Sequence, residues 1–282
     1  DRVRPAVESI GFFTDAQDLD WVARCQKINE ELLDLPHSQH GPGELEIAWL
    51  LLSYGRIEEA MGYLAHLAQE RPSITDLPLF HMLHGMGSLL LNRLSEAQTQ
   101  LWSLQTEPEA QVWLSTVNAL QHSHNIAINS KRLQELRARF QEAKHLIKSY
   151  PKPLRQQYVS IVLMAGIAVQ DLETLKAFLE QELSPEHSNQ REVYELARAR
   201  VLMSQIKPEA AMQILGELME KATSPLVRAI ACFDYICHRL ETKLMKPEDA
   251  LSQLEAIRLQ WHGGWLDRQI EAYLVKWRAQ KN

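Results

Sequence analysis

Apolar residues recur every three or four positions along almost the whole chain, which is the period of amphipathic helices. Trp21, Cys25, Ile28 and Leu32 predict a first helix from Asp15 to Leu35, capped by Asp15 or Asp18 and stopped by Pro36. His37–Gly43 reads as a loop, and the helices that follow come in pairs. Glu44–Tyr54 pairs with Ile57–Gln69, and Leu79–Leu91 with Ser95–Leu104. Glu109–His122, a polar loop from His124 to Ser130, and a long helix Lys131–Tyr150 come next. Pro153–Val169 then pairs with Leu172–Leu183, Gln190–Gln205 with Pro208–Ala222, and Pro225–Leu240 with Pro247–Gln260. Leu266–Ala279 is a last helix, expected to be half of a repeat with Leu274 and Trp277 partly exposed. No apolar–polar alternation persists long enough to predict a strand.

The pairs repeat. Ala60, Ala97, Leu175, Ala211 and Ala250 occupy one position of the second helices, at intervals of 37, 78, 36 and 39 residues, the 78 being two steps of 39. Four residues after each come Leu64, Leu101, Leu179, Leu215 and Leu254. Pro208 and Pro247 stand at the first helical position with Glu209 and Glu248 behind them, the residue types that suit a helix start. A period of 36–39 residues built from helix pairs predicts an all-α solenoid.

Gly55, Ala60, Leu64 and Pro72 have the spacing of the tetratricopeptide repeat, which places a small residue, an aromatic or Leu four on, and Pro twelve on. Ala97 and Leu101 match in the next copy, with Gly85 at the close-packing position of its first helix. The order of landmarks, from Tyr54-Gly55 to the segment Lys246–Gly264, also resembles a group of large bacterial tetratricopeptide-repeat proteins of unknown function. The resemblance covers roughly residues 16–275. It implies a right-handed superhelical stack of about six pairs with a concave wall; the group has no assigned chemistry, so it is nearly silent on function. On this reading residues 1–14 are an irregular lead-in and 15–282 a single repeat domain. The start at Asp1, without Met, suggests a piece of a longer protein.

Composition narrows the function. The net charge of −6 argues against nucleic acid as the main ligand, and the longest apolar run, the 12 residues Tyr158–Val169, is too short to cross a membrane. Cys25, Cys232 and Cys237 read as small buried hydrophobes, the last two pointing about 140° apart on one helix. His81/His84 and His37/His40 lack a third ligand nearby, so no metal is expected. Asp234 and His238, four apart, are expected to share a hydrogen bond. Signatures for nucleotide binding, a nucleophile elbow or a zincin do not occur, and no cofactor is expected.

What remains is a scaffold, not an enzyme, presenting a helical groove to a protein or peptide. A glycosidase-like carboxylate pair and an RNA-reading helical repeat are the alternatives. The one strongly basic stretch, Lys131–Arg155, supplies candidate partner contacts in Arg137, Arg139, Lys144 and Lys148. Trp49 and Arg200, on first helices of two pairs, complete the candidate set. The tryptophans in general (Trp49, Trp102, Trp113, Trp261, Trp265, Trp277) read as packing residues.

Overall fold

The computed structural model describes Phe13, residues 20–180 and residues 188–281. These contain α1 (Trp21–Leu33), α2 (Gly41–Ser53), α3 (Ile57–Glu70), α4 (Pro78–Leu90), α5 (Leu94–Trp102), α6 (Pro108–Gln121), α7 (Ser123–Ala127), α8 (Ser130–Ser149), α9 (Lys152–Val169), α10 (Leu172–Leu179), α11 (Ser188–Ser204), α12 (Pro208–Lys221), α13 (Pro225–Glu241), α14 (Pro247–Gln260) and α15 (Trp265–Lys281). No strand occurs among the described residues. Consecutive helices pack on one another from α1 to α5 and again from α10 to α15. They group into two compact units, one within Asp1–Asn118 and Gln134–Ile161, the other within Ala119–Leu133 and Val162–Asn282.

The repeat has a backbone signature more regular than its sequence. Gly55, Asn92, Gln170, Ile206 and Lys243 all take a left-handed φ, between 57° and 80°, just after α2, α4, α9, α11 and α13. At each, the next residue donates its N–H back to a carbonyl five earlier: Arg56 to Leu51, Arg93 to Ser88, Asp171 to Gly166, Lys207 to Leu202 and Leu244 to Arg239, at 2.8–3.1 Å. The left-handed residue itself donates three back, as Gly55 does to Leu52. This is the Schellman stop, which satisfies carbonyls a helix end would otherwise orphan. Gly55 and, less strongly, Asn92 have residue types that favour it; Gln170, Ile206 and Lys243 do not.

Second helices then pack by their small residues. Ala60, Ala97, Ala211 and Ala250 have no exposed surface, and Leu64, Leu101, Leu215 and Leu254 are buried beside them. In α10, Phe178 is buried where Leu179 was expected, and Leu179 is half-exposed. Gly85 is needed where it was expected: a Cβ there would lie 2.7 Å from Leu101. Gly166 stands in the same relation to Leu175, at 2.9 Å.

Several boundaries differ from the sequence reading, each for a local reason. α1 starts at Trp21 because the Asp20 carboxylate accepts from the Ala23 N–H; Asp15 and Asp18, like most of the 1–14 lead-in and the 181–183 helix end, lie outside the described residues. Pro42 falls in the first turn of α2, so the helix begins inside the expected 37–43 loop. The polar 124–130 loop is mostly α7, pinned by buried Ile126, and Asn129 caps α8 through the Arg132 N–H. Trp102 is 58% exposed and not a packing residue, because it points about 140° from the Ala97 side of α5. Leu274 is fully buried, contrary to expectation: α15 packs on α7 as well as on α14, and Leu266, Ile270 and Leu274 are all covered. Trp277 is half-exposed, with the Lys281 ammonium 4.0 Å above its ring.

Candidate functional site

In the second unit, α11, α13 and α15 turn one face each toward a shared cleft. Arg200, Asp234 and Gln269 stand at matching positions on the three helices, 34 and 35 residues apart, close to one repeat. Arg200 Nε and Nη2 donate to the two oxygens of Asp234 at 2.9 and 3.1 Å, a bidentate pair with both side chains more than four-fifths buried. Arg200 Nη1 donates to the Ile167 carbonyl at 3.1 Å, and Nη2 also reaches Gln269 Oε1 at 3.3 Å. Gln269 Nε2 donates to the Ile167 and Ala168 carbonyls at 2.9 and 3.0 Å. A cation and an amide thus close the C-terminal end of α9, where carbonyls lack partners in the helix and the dipole is negative. Asp234 faces Arg200 and not His238, so the expected Asp234–His238 bond is replaced by a stronger one across helices.

Above this floor lies a cavity of about 470 Å³. Leu172, Leu215 and Phe233 give it apolar walls, while Ser204, His238 and Tyr273 bring polar groups. Tyr273 Oη lies 3.3 Å from both the Cys237 carbonyl and Glu241 Oε1. Burial first, then the negative groups around it, pushes the Tyr273 hydroxyl far above its ordinary range, and burial with Asp234 does the same to the Cys237 thiol. Both shifts favour the protonated forms. Cys25 and Cys232 are raised by burial too.

A second polar anchor ties α11 to α13. The buried Glu192 carboxylate accepts from the Thr223 N–H at 2.7 Å, from its hydroxyl at 3.0 Å and from the Ser224 N–H at 3.2 Å, just at the start of α13. Between α14 and α15, Asp267 accepts from Arg258 Nε at 2.7 Å and from the Gly263 N–H at 3.0 Å. The bond to Arg258 is the main reason the Asp267 carboxyl is held below its ordinary value.

The first unit treats its centre differently. Trp49 is fully buried, so its ring is packing material inside α2 and not a partner contact. Trp113 Nε1 donates to Tyr150 Oη at 3.0 Å, Tyr150 Oη donates to the buried Glu109 carboxylate, and Tyr158 Oη reaches the Met86 carbonyl at 3.3 Å. The Trp113 and Tyr158 rings lie 4.6 Å apart, and Phe13 meets Tyr150 edge-on. On α8, Arg137, Lys144 and Lys148 share one side, at offsets of 7 and 4 residues, whereas Arg139 points away from them and pairs with Glu142 at 3.1 Å. His81 Nδ1 is 2.7 Å from Gln100 Oε1, and His84, its pKa lowered by burial, is 3.7 Å from Glu96. Among the described residues no three His, Cys, Asp or Glu side chains converge on a metal position, and no helix is long and apolar enough to cross a membrane.

Compared with family models, curated proteins and solved structures, the chain matches none.

Of the six residues singled out from sequence, Arg200 alone reaches this cleft, and four of the five guanidinium N–H groups are engaged inside the unit. It positions Asp234 and α9. Asp234's role here, Gln269 and Glu192 were missed. The signal was present: Arg200, Asp234 and Gln269 are polar residues on α11, α13 and α15 at spacings of 34 and 35 residues, close to the period of the helix pairs.

Proposed function

We propose that the chain is a tetratricopeptide-like helical-repeat scaffold whose second unit binds a peptide segment of a partner protein in the cleft of α11, α13 and α15. The observation that carries this reading is the cleft itself. Its floor is self-satisfied by the Arg200–Asp234–Gln269 network, which fixes three first helices in register. Its mouth offers His238, Ser204 and Tyr273 beside apolar walls, a mixture of anchoring surface and a few orienting polar groups. The capped helix-turn-helix, repeated five times among the described residues, supports the repeat reading within each unit. Binding is favoured over catalysis because the Cys237 thiol is shifted toward its protonated form and the buried carboxylates Asp234, Glu192 and Asp267 are each engaged in structural bonds.

Selection of random peptides displayed on phage against the chain tests this. Enriched peptides are expected to lose binding to Ser204→Trp, which fills the mouth from an exposed position, with the melting temperature unchanged. Peptides that bind Ser204→Trp as well as the parent chain would place recognition elsewhere.

A further inference from the structure

Four of the five Schellman turns have one build. A single residue separates the left-handed position from the first residue of the next helix: Arg56, Arg93, Asp171 and Lys207. The fifth is longer. Between Lys243 and Pro247 stand Leu244, Met245 and Lys246, two residues more. This insertion is why Ala250 falls 39 residues after Ala211 when the left-handed residues Ile206 and Lys243 are 37 apart.

The longer turn builds a cavity of about 740 Å³ with the C-terminal part of α15. Leu244, 65% exposed, and Met245 line it with the half-exposed Trp277, as do Lys243, Lys246 and Lys281. Glu241 is the only acidic residue in this lining, and its Oε1 lies within hydrogen-bond reach of the Tyr273 hydroxyl. The site is therefore cationic with an apolar base, on a chain whose net charge is −6. Glu241 also lines the 470 Å³ cavity, so the two spaces adjoin along α13.

We infer that the Lys243–Lys246 insertion forms a recognition pocket for an acidic peptide segment carrying an apolar side chain, which lodges against Leu244, Met245 and Trp277 while its carboxylates face the three lysines. The inference rests on the scaffold reading and adds to it the charge of the partner. Ammonium groups on flexible stems suit carboxylates on a mobile peptide, because each adjusts its position without a fixed fork. Exposed apolar surface beside them supplies the burial that exposed ion pairs alone lack.

The test uses three fluorescein-labelled peptides, Glu-Glu-Leu-Glu-Glu, Gln-Gln-Leu-Gln-Gln and Glu-Glu-Ser-Glu-Glu, and fluorescence anisotropy at low salt. The first should bind at least about tenfold tighter than the second, the gain three exposed ion pairs together supply, and the margin should collapse at high salt. It should also bind tighter than the third. Deleting Leu244 and Met245, which restores the turn of the other four pairs, should abolish the preference, as should the exposed triple reversal Lys243→Glu/Lys246→Glu/Lys281→Glu. Equal binding of the acidic and neutral peptides overturns the inference, and so does a preference that survives both variants. Displacement of the acidic peptide by ATP at lower concentration than by unlabelled peptide overturns it in favour of a nucleotide. If the preference is absent while Ser204→Trp still blocks the phage-selected peptides, this inference falls and the scaffold reading stands.

Discussion

The two units use the same turn to opposite ends. In the first, α2 and α4 are apolar almost all round: Leu45, Ile47, Ala48, Trp49, Leu50 and Leu52 are buried on one, Leu79, Phe80, Met82, Leu83, Met86 and Leu89 on the other. A helix buried on every side has no face left to offer a ligand. Trp113, Tyr150 and Tyr158 fill the remaining space and bond to one another, to Glu109 and to a backbone carbonyl. In the second unit α11 and α13 keep a polar edge, and Arg200, Asp234 and Gln269 hold the helices where the first unit uses rings. The first unit has a buried charged pair of its own, Arg24 on Glu46 at 2.7 Å between α1 and α2, but its centre is filled by rings, whereas the Arg200 strut lies under a cavity.

The largest test of this contrast removes the strut. Arg200→Met leaves the Asp234 carboxylate without its bidentate partner and takes one of several donors from the Ile167 carbonyl, and should cost about 3 kcal/mol in urea unfolding. Arg200→Met with Asp234→Leu should recover most of the loss, because an apolar pair needs no desolvation. If the double variant is as unstable as the single, the pair is more than a spacer.

Next in size are the small-residue contacts common to both units. Ala60→Leu, Ala97→Leu, Ala211→Leu and Ala250→Leu should each cost about 1–3 kcal/mol by overpacking a fully buried site. Thermal melts at parent stability for the first two alone would mean that only the second unit obeys the repeat register.

A pH scan sharpens the role of the α14–α15 corner. The folded-state pKa of Asp267 is depressed, so its contribution is fully present above the unfolded value of about 4 and is lost as pH falls through the lower folded value. Asp267→Asn should therefore melt earlier than the parent at pH 6, with the gap closing as the pH is lowered below about 4. A gap that stays constant into strong acid would assign the effect to geometry and not to charge.

The smallest effect is at the turns. Ile206 is β-branched, 88% exposed and left-handed, a conformation that costs a residue with Cβ about 1–2 kcal/mol. Ile206→Gly should stabilise the second unit by up to about 1 kcal/mol, after the loss from glycine's freedom in the unfolded chain. Destabilisation instead would show that Ile206 makes a contact its exposure conceals.

These turns also show how far the sequence could be read. Helix order and pairing were legible because Pro36, Pro72, Pro151, Pro208, Pro225 and Pro247 punctuate the apolar period, and the Ala60 register followed from spacing. The turn itself was legible at Gly55 and hinted at by Asn92: Gln170, Ile206 and Lys243 adopt its conformation because the packing of the flanking helices outweighs a modest local preference. The cleft was hidden for another reason. Arg200, Asp234 and Gln269 look like separate surface residues, and only stacking one repeat on the next brings them together. Trp49 misled in the opposite direction, since an aromatic on a first helix looks available until the helix is seen to be covered on all sides.

Hydrogen exchange with a phage-selected peptide bound tests the central claim most directly. The account predicts slowed exchange in the second unit, in α13 around Phe233–Glu241 and in α11 and α15 beside it, with α2 and α4 unchanged. Protection confined to α2 and α4, with none in α11, α13 or α15, would contradict it.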